Sequence, residues 1–232
     1  MIFISPRRLR TTASITEPGR DGHKQTAEWR RNAVLLFFTD REDSMEADSR
    51  EKLDRLCLEM IDYDRRDPMR IQHLIKVHAF AAVIGRSEGL DEKTQRILEA
   101  AAYVHDIGIH KAEILYGRSD GKLQEKYGPE EAEPLLEQLG FEKDEIDRIC
   151  YLIGHHHTYT DMDGIDYQIL VEADFLVNLY EDHSSAIGIQ NAYKKIFRTE
   201  CGKKIFREMY LDERDQEYQK WILSKEQKES AE

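Results

Sequence analysis

Asp174 lies inside the run Ile169-Leu170-Val171-Glu172-Ala173-Asp174-Phe175-Leu176-Val177. A helix made of such residues must be largely buried. An ionised carboxylate there costs several kcal/mol unless it is paired or holds a cation. The plain alternative is an aspartate hydrogen-bonded to backbone or to a lysine. His105-Asp106 closes an alanine-rich helix, Ala100-Ala101-Ala102-Tyr103-Val104. Adjacent side chains diverge by about 100° around a helix, yet at a fraying end both can turn to one ion. His73, beside Leu74 on a further apolar helix, would on its own read as a satisfied core histidine. The combination says more. Two imidazoles and two carboxylates from three helices form an N₂O₂ set suited to Mn²⁺, Fe²⁺, Co²⁺, Ni²⁺ or Zn²⁺. Such a set leaves positions for water and a phosphoryl oxygen, the requirement for metal-assisted hydrolysis.

A helix cannot aim three successive side chains at one place, so at most two of His155-His156-His157 serve such a site. Spacing from Ile153 makes His156 the first candidate and His157 the next; the alternative is a helix C-terminus capped by imidazolium. Lys111, Arg118, Lys122 and Lys126 fall in a segment, 111–127, that reads as an irregular polar loop with Gly117 and Asp120-Gly121 turns. Loop cations on a rigid scaffold would meet a substrate's phosphate, or simply be solvated. Glu125 and Asn178 are candidates to orient water or a ligand. His78, His110 and His183 are assigned to packing or surface.

The elements that must position these groups are helical almost throughout. Leu53, Leu56, Cys57, Met60 and Ile61 mark the apolar face of a first helix. Asp67-Pro68 is an N-cap followed by proline at the first helical position and opens a second, ending near Gly89. Asp91 caps a third that leads into His105-Asp106, with Gly108 as its stop. Pro129 is read as opening a short helix ended by Gly140, and another helix runs from Lys143 to about His157. Ile169–Tyr180 is strongly apolar, and weaker helical stretches follow at 186–199 and 203–226. No period-2 strand pattern and no repeat of 20–50 residues is present. The fold class is all-α.

Composition narrows the function further. The 232 residues carry a net charge of −12, which argues against general nucleic-acid binding. No apolar run is longer than Ala33–Phe38, far below the ~20 residues of a membrane span. Three cysteines without a CxxC pair exclude a disulfide framework or cysteine zinc site. A cytoplasmic enzyme acting on a small phosphorylated substrate fits, as monomer or oligomer. Residues 1–44 hold +2 of the charge and 45–232 hold −14. The first stretch reads as a disordered extension, a transit peptide or a segment outside the native protein, with Met45 as start; 45–232 reads as one domain.

In chain order, His73, His105-Asp106 within Ala-Ala-Tyr-Val-His-Asp-Ile-Gly, and Asp174 within Glu-Ala-Asp-Phe-Leu resemble the H…HD…D pattern of the HD-domain superfamily of metal-dependent phosphohydrolases. Arg70-Ile-Gln-His-Leu-Ile-Lys-Val resembles that family's first-histidine helix. The resemblance covers residues 65–185, and Gln124-Glu125-Lys126-Tyr127-Gly128-Pro129 and His156-His157…Asp163-Gly164 extend it toward bacterial HD hydrolases of uncharacterised activity. It implies an HD-type helical bundle with one divalent metal on His73, His105, Asp106 and Asp174. Nucleotide, phosphomonoester, cyclic-nucleotide, dinucleotide and (p)ppGpp hydrolysis are the implied activities. Binuclear members add histidines before the last aspartate and after the HD dipeptide; here the latter place reads Tyr127-Gly128-Pro129, which disfavours a second metal. Asp106 would also take a proton from the attacking water, and His156 would donate one to the leaving group. Lys111, Arg118, Lys122 and His157 would contact substrate. The alternatives are a nucleotide-binding regulatory module without turnover and a di-iron oxygenase on the same fold. A chain starting at Met45 is expected to fold and keep activity; an insoluble or inactive truncation contradicts that reading.

Overall fold

The computed structural model describes residues 48–211. The extension 1–44, a start at Met45 and helix beyond residue 211 lie outside the described residues. Within them every regular element is a helix: α1 at 48–63, α2 Pro68–Ser87, α3 Glu92–Val104, α4 Gly108–Tyr116, α5 Gly121–Gln138, α6 Lys143–Ile153, α7 Ile165–Glu181, α8 Ala186–Lys195 and α9 Glu200–Tyr210. No helix among the described residues is long and apolar enough to cross a membrane.

Local chemistry sets the ends of the helices that matter most. The Asp67 carboxylate accepts from Arg70 N at 3.0 Å, and Pro68 follows where no N–H is needed. Asp91 accepts from Lys93 N and Thr94 N, both at 3.1 Å. Ala100, Ala101 and Ala102 are fully buried. Their small side chains let α3 lie against α2, α6 and α7 together. Leu56, Val77, Leu98, Ile149, Leu170 and Leu176 fill the core between these helices. On α1 the expected apolar face holds for Leu56 and Met60, while Ile61 turns outward.

The segment 111–127 is not a loop. It carries the end of α4 and the start of α5, with only residues 117–120 between them. Gly117, at φ 64°, closes α4 in the left-handed conformation that favours glycine. Pro129 does not open a helix but sits inside α5, as does Pro134. The ring at 129 faces Gly154, where an added Cβ would come within 3.2 Å of its Cγ. Packing against neighbouring helices thus overrides a breaker signal that is decisive only for an isolated helix. Gly108 is likewise not a stop: it begins α4 as a crossing point. A Cβ on Gly108 would lie 2.6 Å from Gly128 N and 2.8 Å from Gln124 O, both backbone atoms of α5. The helix expected to reach His157 ends at Ile153, so the histidine triplet follows a helix instead of continuing it.

Gly108→Ala should force α4 and α5 apart. We expect a loss of about 1–3 kcal/mol, read as a fall in Tm of roughly 2–12 °C. An unchanged Tm would show that the crossing is looser than described.

Candidate metal centre

Three helices deliver the four expected donors to one buried point. His73 comes from the second turn of α2, His105 and Asp106 from the three-residue turn between α3 and α4, and Asp174 from the middle of α7. The Tyr63 hydroxyl lies against the turn from outside the cluster, 3.3 Å from Ile107 O and 3.2 Å from Glu131 Oε2. His73 Nε2 lies 3.2 Å from His105 Nε2 and 3.3 Å from Asp174 Oδ1. His105 Nε2 lies 3.5 Å from Asp174 Oδ1. Asp106 Oδ2 is 3.7 Å from His73 Nε2 and 3.6 Å from His105 Nε2. His105, Asp174 and His73 are 0%, 3% and 7% exposed.

Hydrogen bonds at the far side of each ring fix the tautomers. His105 Nδ1 donates to Ala102 O at 3.0 Å, because a carbonyl can only accept. His73 Nδ1 donates to the Glu181 carboxylate at 2.8 Å. In their neutral forms both rings therefore point Nε2 lone pairs at each other and at two carboxylates. That arrangement is repulsive without a positive charge at its centre. Bonds of about 2.0–2.2 Å to a transition ion set neighbouring ligand atoms roughly 3.0–3.5 Å apart, close to the separations found. The donor set and its geometry fit a divalent ion, and His73, His105 and Asp106 form a group able to hold one.

The ionisation of the groups carries the same message. Burial alone would lower the His73 pKa, but the hydrogen bond and charge of Asp174, with Asp106 and Glu181, outweigh it and lift it to about 9. Burial opposes ionisation of Asp174 too, yet His105 and His73 hold its carboxyl far below the usual range. Asp106 is held down against burial by His105 and His156. Glu172, two residues before Asp174 and just as buried, has a different role. It accepts from Gln168 Nε2 at 2.7 Å and Thr199 N at 3.0 Å, tying the start of α9 to α7.

His156 does not cap a solvated helix end. It is 1% exposed, its Nδ1 donates to Ile153 O at 2.7 Å, and its Nε2 lies 3.4 Å from Asp106 Oδ1. Both of these facing atoms are buried without a hydrogen-bond partner. Asp106, His156 and His157 form a second group of potential metal donors, but His157 has other bonds. Gln124 Nε2 donates to Ser119 O at 2.8 Å, so its Oε1 is the atom that faces His157 Nε2. Flipping the amide would set oxygen against oxygen at Ser119. His157 is thus protonated on Nε2, and its Nδ1 faces the Tyr159 hydroxyl at 3.4 Å. Burial and the neighbouring His156 push its pKa down to about 4.

The expected substrate cations are placed less directly. Lys111 bridges Glu130 and Glu131 at 3.0 and 2.8 Å, and Arg118 pairs with Asp120 at 2.8 Å. Lys122 is exposed on the first turn of α5, next to Gly121, whose position abuts the His157 ring. Glu125 Oε1 accepts from His157 N and Thr158 Oγ1, both at 3.0 Å, and so fastens the backbone after α6. Asn178 donates to Asp174 Oδ1 at 2.8 Å. His78 pairs with Glu99 at 3.0 Å and His110 with Asp64 at 2.9 Å, both outside the cluster. Glu181 and Gln124 were not among the expected site residues. The spacing of Asp174, Asn178 and Glu181 at i, i+4 and i+7 on one helix was the available signal for Glu181.

Residues 70–182 match the model of the HD domain family. No curated protein is significantly similar to the chain. Among solved structures, that of a predicted HD superfamily hydrolase from an uncultured Thermotogales bacterium is similar at 26% identity, over 78% of this chain and 91% of that one, with a TM-score of 0.48.

The raised His73 pKa sets a pH dependence with a definite sign. A raised histidine stabilises the folded state fully below its unfolded value of about 6.5 and loses that contribution as pH rises. Metal-stripped protein should therefore be less stable at pH 9 than at pH 6, the loss running from pH 6.5 up through about 9. The depressed Asp106 and Asp174 contribute stability above about pH 3.9 that is lost on further acidification. At pH 7 an ion should displace a proton from the His73–His105 pair. Calorimetric titration with Zn²⁺ in two buffers of different ionisation enthalpy reads this directly, and binding without proton release would contradict it.

Proposed function

We propose that this chain, which belongs to the HD-domain family through residues 70–182, is a metal-dependent hydrolase of a phosphomonoester or phosphodiester bond in a small nucleotide-like molecule. The observation that carries the reading is the convergence of His73, His105, Asp106 and Asp174, next to an unpartnered Asp106 Oδ1 and His156 Nε2. An ion held by these four residues supplies acidity to water and polarises a phosphoryl oxygen.

The chain's own groups complete the reaction. Asp106 turns Oδ2 to His73 and His105 and sets Oδ1 3.4 Å from His156 Nε2, with no aligned hydrogen bond between them. Its depressed pKa keeps it ionised at neutral pH, so Oδ1 is the acceptor for the proton of the attacking water. His156, fixed through Nδ1, is the donor to the leaving-group oxygen from Nε2 when protonated. Water exclusion around these buried groups strengthens every charge interaction among them. For the substrate's phosphate, Lys122 is the best-placed of the three cations, because Lys111 and Arg118 are engaged by carboxylates. His157, neutral beside Gln124, supports a substrate contact more readily than a second ion.

Elemental analysis is expected to find one equivalent of Mn, Fe, Co, Ni or Zn per chain. A panel of phosphomonoesters and phosphodiesters should then show metal-dependent release of product. Asp106→Ala should abolish turnover, and His156→Ala should slow it by about 10²–10⁴-fold. Hydrolysis that survives in metal-stripped Asp106→Ala would defeat the proposal. Nucleotide binding without product release would favour the regulatory module, and two irons per chain the oxygenase.

A further inference from the structure

His73 differs from the other two inward-facing histidines in how its ring is held. His105 and His156 follow helix ends, where the carbonyl three residues back is free to take Nδ1–H. His73 sits in the second turn of α2, where the preceding carbonyls belong to the helix's own ladder. Its Nδ1 needs an acceptor from elsewhere, and one comes from 108 residues away: Glu181 Oε2, at 2.8 Å. The other oxygen, Oε1, is paired with Lys76, one turn beyond His73 on α2. Glu181 is thus gripped by one helix at two points. The ammonium of Lys76 on Oε1 and the ring N–H of His73 on Oε2 give both carboxylate oxygens a donor.

From this geometry we infer that Glu181 is a positioning residue for the metal centre: by accepting from Nδ1 it fixes the tautomer and direction of His73 and leaves Nε2 as the donor to the ion. The residue closes a stripe on α7 in which Asp174 is the ligand, Asn178 donates to Asp174, and Glu181 receives from His73. One helix face therefore supplies both a ligand and the partners that aim two ligands. An anionic partner behind a ligating histidine raises metal affinity by about 10–100-fold. A purely mechanical clamp between α2 and α7 would instead depend on Lys76 as much as on His73.

The inference rests on the metal-centre reading, and its test separates the two. Co²⁺ is titrated into metal-stripped full-length chain, with affinity and the visible absorption of the bound ion as readouts. If the original chain binds no Co²⁺, the metal-centre reading fails, and this inference with it. If it binds, Glu181→Ala should weaken binding about 10–100-fold and shift the absorption bands. Glu181→Gln, which keeps a neutral acceptor, should recover part of the affinity and the original band positions. Lys76→Ala, which leaves the Glu181–His73 bond in place, should bind Co²⁺ nearly as the original chain does. Unchanged affinity and spectrum in Glu181→Ala would overturn the assignment. So would an equal loss in Lys76→Ala, since that marks a clamp. Should Glu181→Ala fail to fold, Glu181→Gln decides: the assignment predicts affinity below that of the original chain, and equality overturns it.

Discussion

Two imidazole nitrogens 3.2 Å apart, each within 3.3–3.7 Å of carboxylate oxygens from Asp174 and Asp106, form a cluster that the helical core cannot stabilise by apolar packing. It holds together only around positive charge, whether a shared proton or an ion. The surrounding design follows from that constraint. Alanines in α3 allow the close approach that brings His105 beside α2 and α7. The turn after α3 lets two consecutive residues face one point, which a continuous helix would forbid. Gly108 then lets α4 cross α5 at backbone contact, which brings the Gln124 end of α5 to the histidines after α6.

The cluster is also asymmetric in a way that bears on chemistry. On one side, His73, His105 and Asp174 are fully engaged by Glu181, Ala102 and Asn178. On the other, Asp106 Oδ1 and His156 Nε2 are buried and face each other at 3.4 Å without a hydrogen bond. Buried polar atoms without partners are costly, and they persist where a ligand or substrate satisfies them. The engaged side suits holding; the unengaged side suits reaction. The hydrolysis proposed for this chain needs both.

Much of this was legible in the residues, for physical reasons that differ from group to group. Asp174 stood out because a charge inside an apolar helix has to be explained. His105-Asp106 was legible from its place at the end of an alanine-rich helix, whereas His73 acquired meaning only in company. The all-α class followed from apolar periodicity, and the Asp67 and Asp91 caps held. What stayed hidden depends on tertiary contact. Gly117 and Asp120-Gly121 read as the turns of a loop and Pro129 as the start of a helix, yet α4 and α5 form because each packs against the other and α5 also packs against α6. Gln124 was hidden with them. Glu181 closes α7 as an ordinary acidic residue, and nothing local shows that it reaches a histidine 108 positions earlier.

If the four donor residues enclose one ion, anomalous diffraction from crystals of the full chain grown with Mn²⁺ or Zn²⁺ will show it. A single strong anomalous peak bounded by His73 Nε2, His105 Nε2, Asp106 Oδ2 and Asp174 Oδ1 is the expected result. A map with no peak there, or with its only peak between His156 and His157, would contradict it.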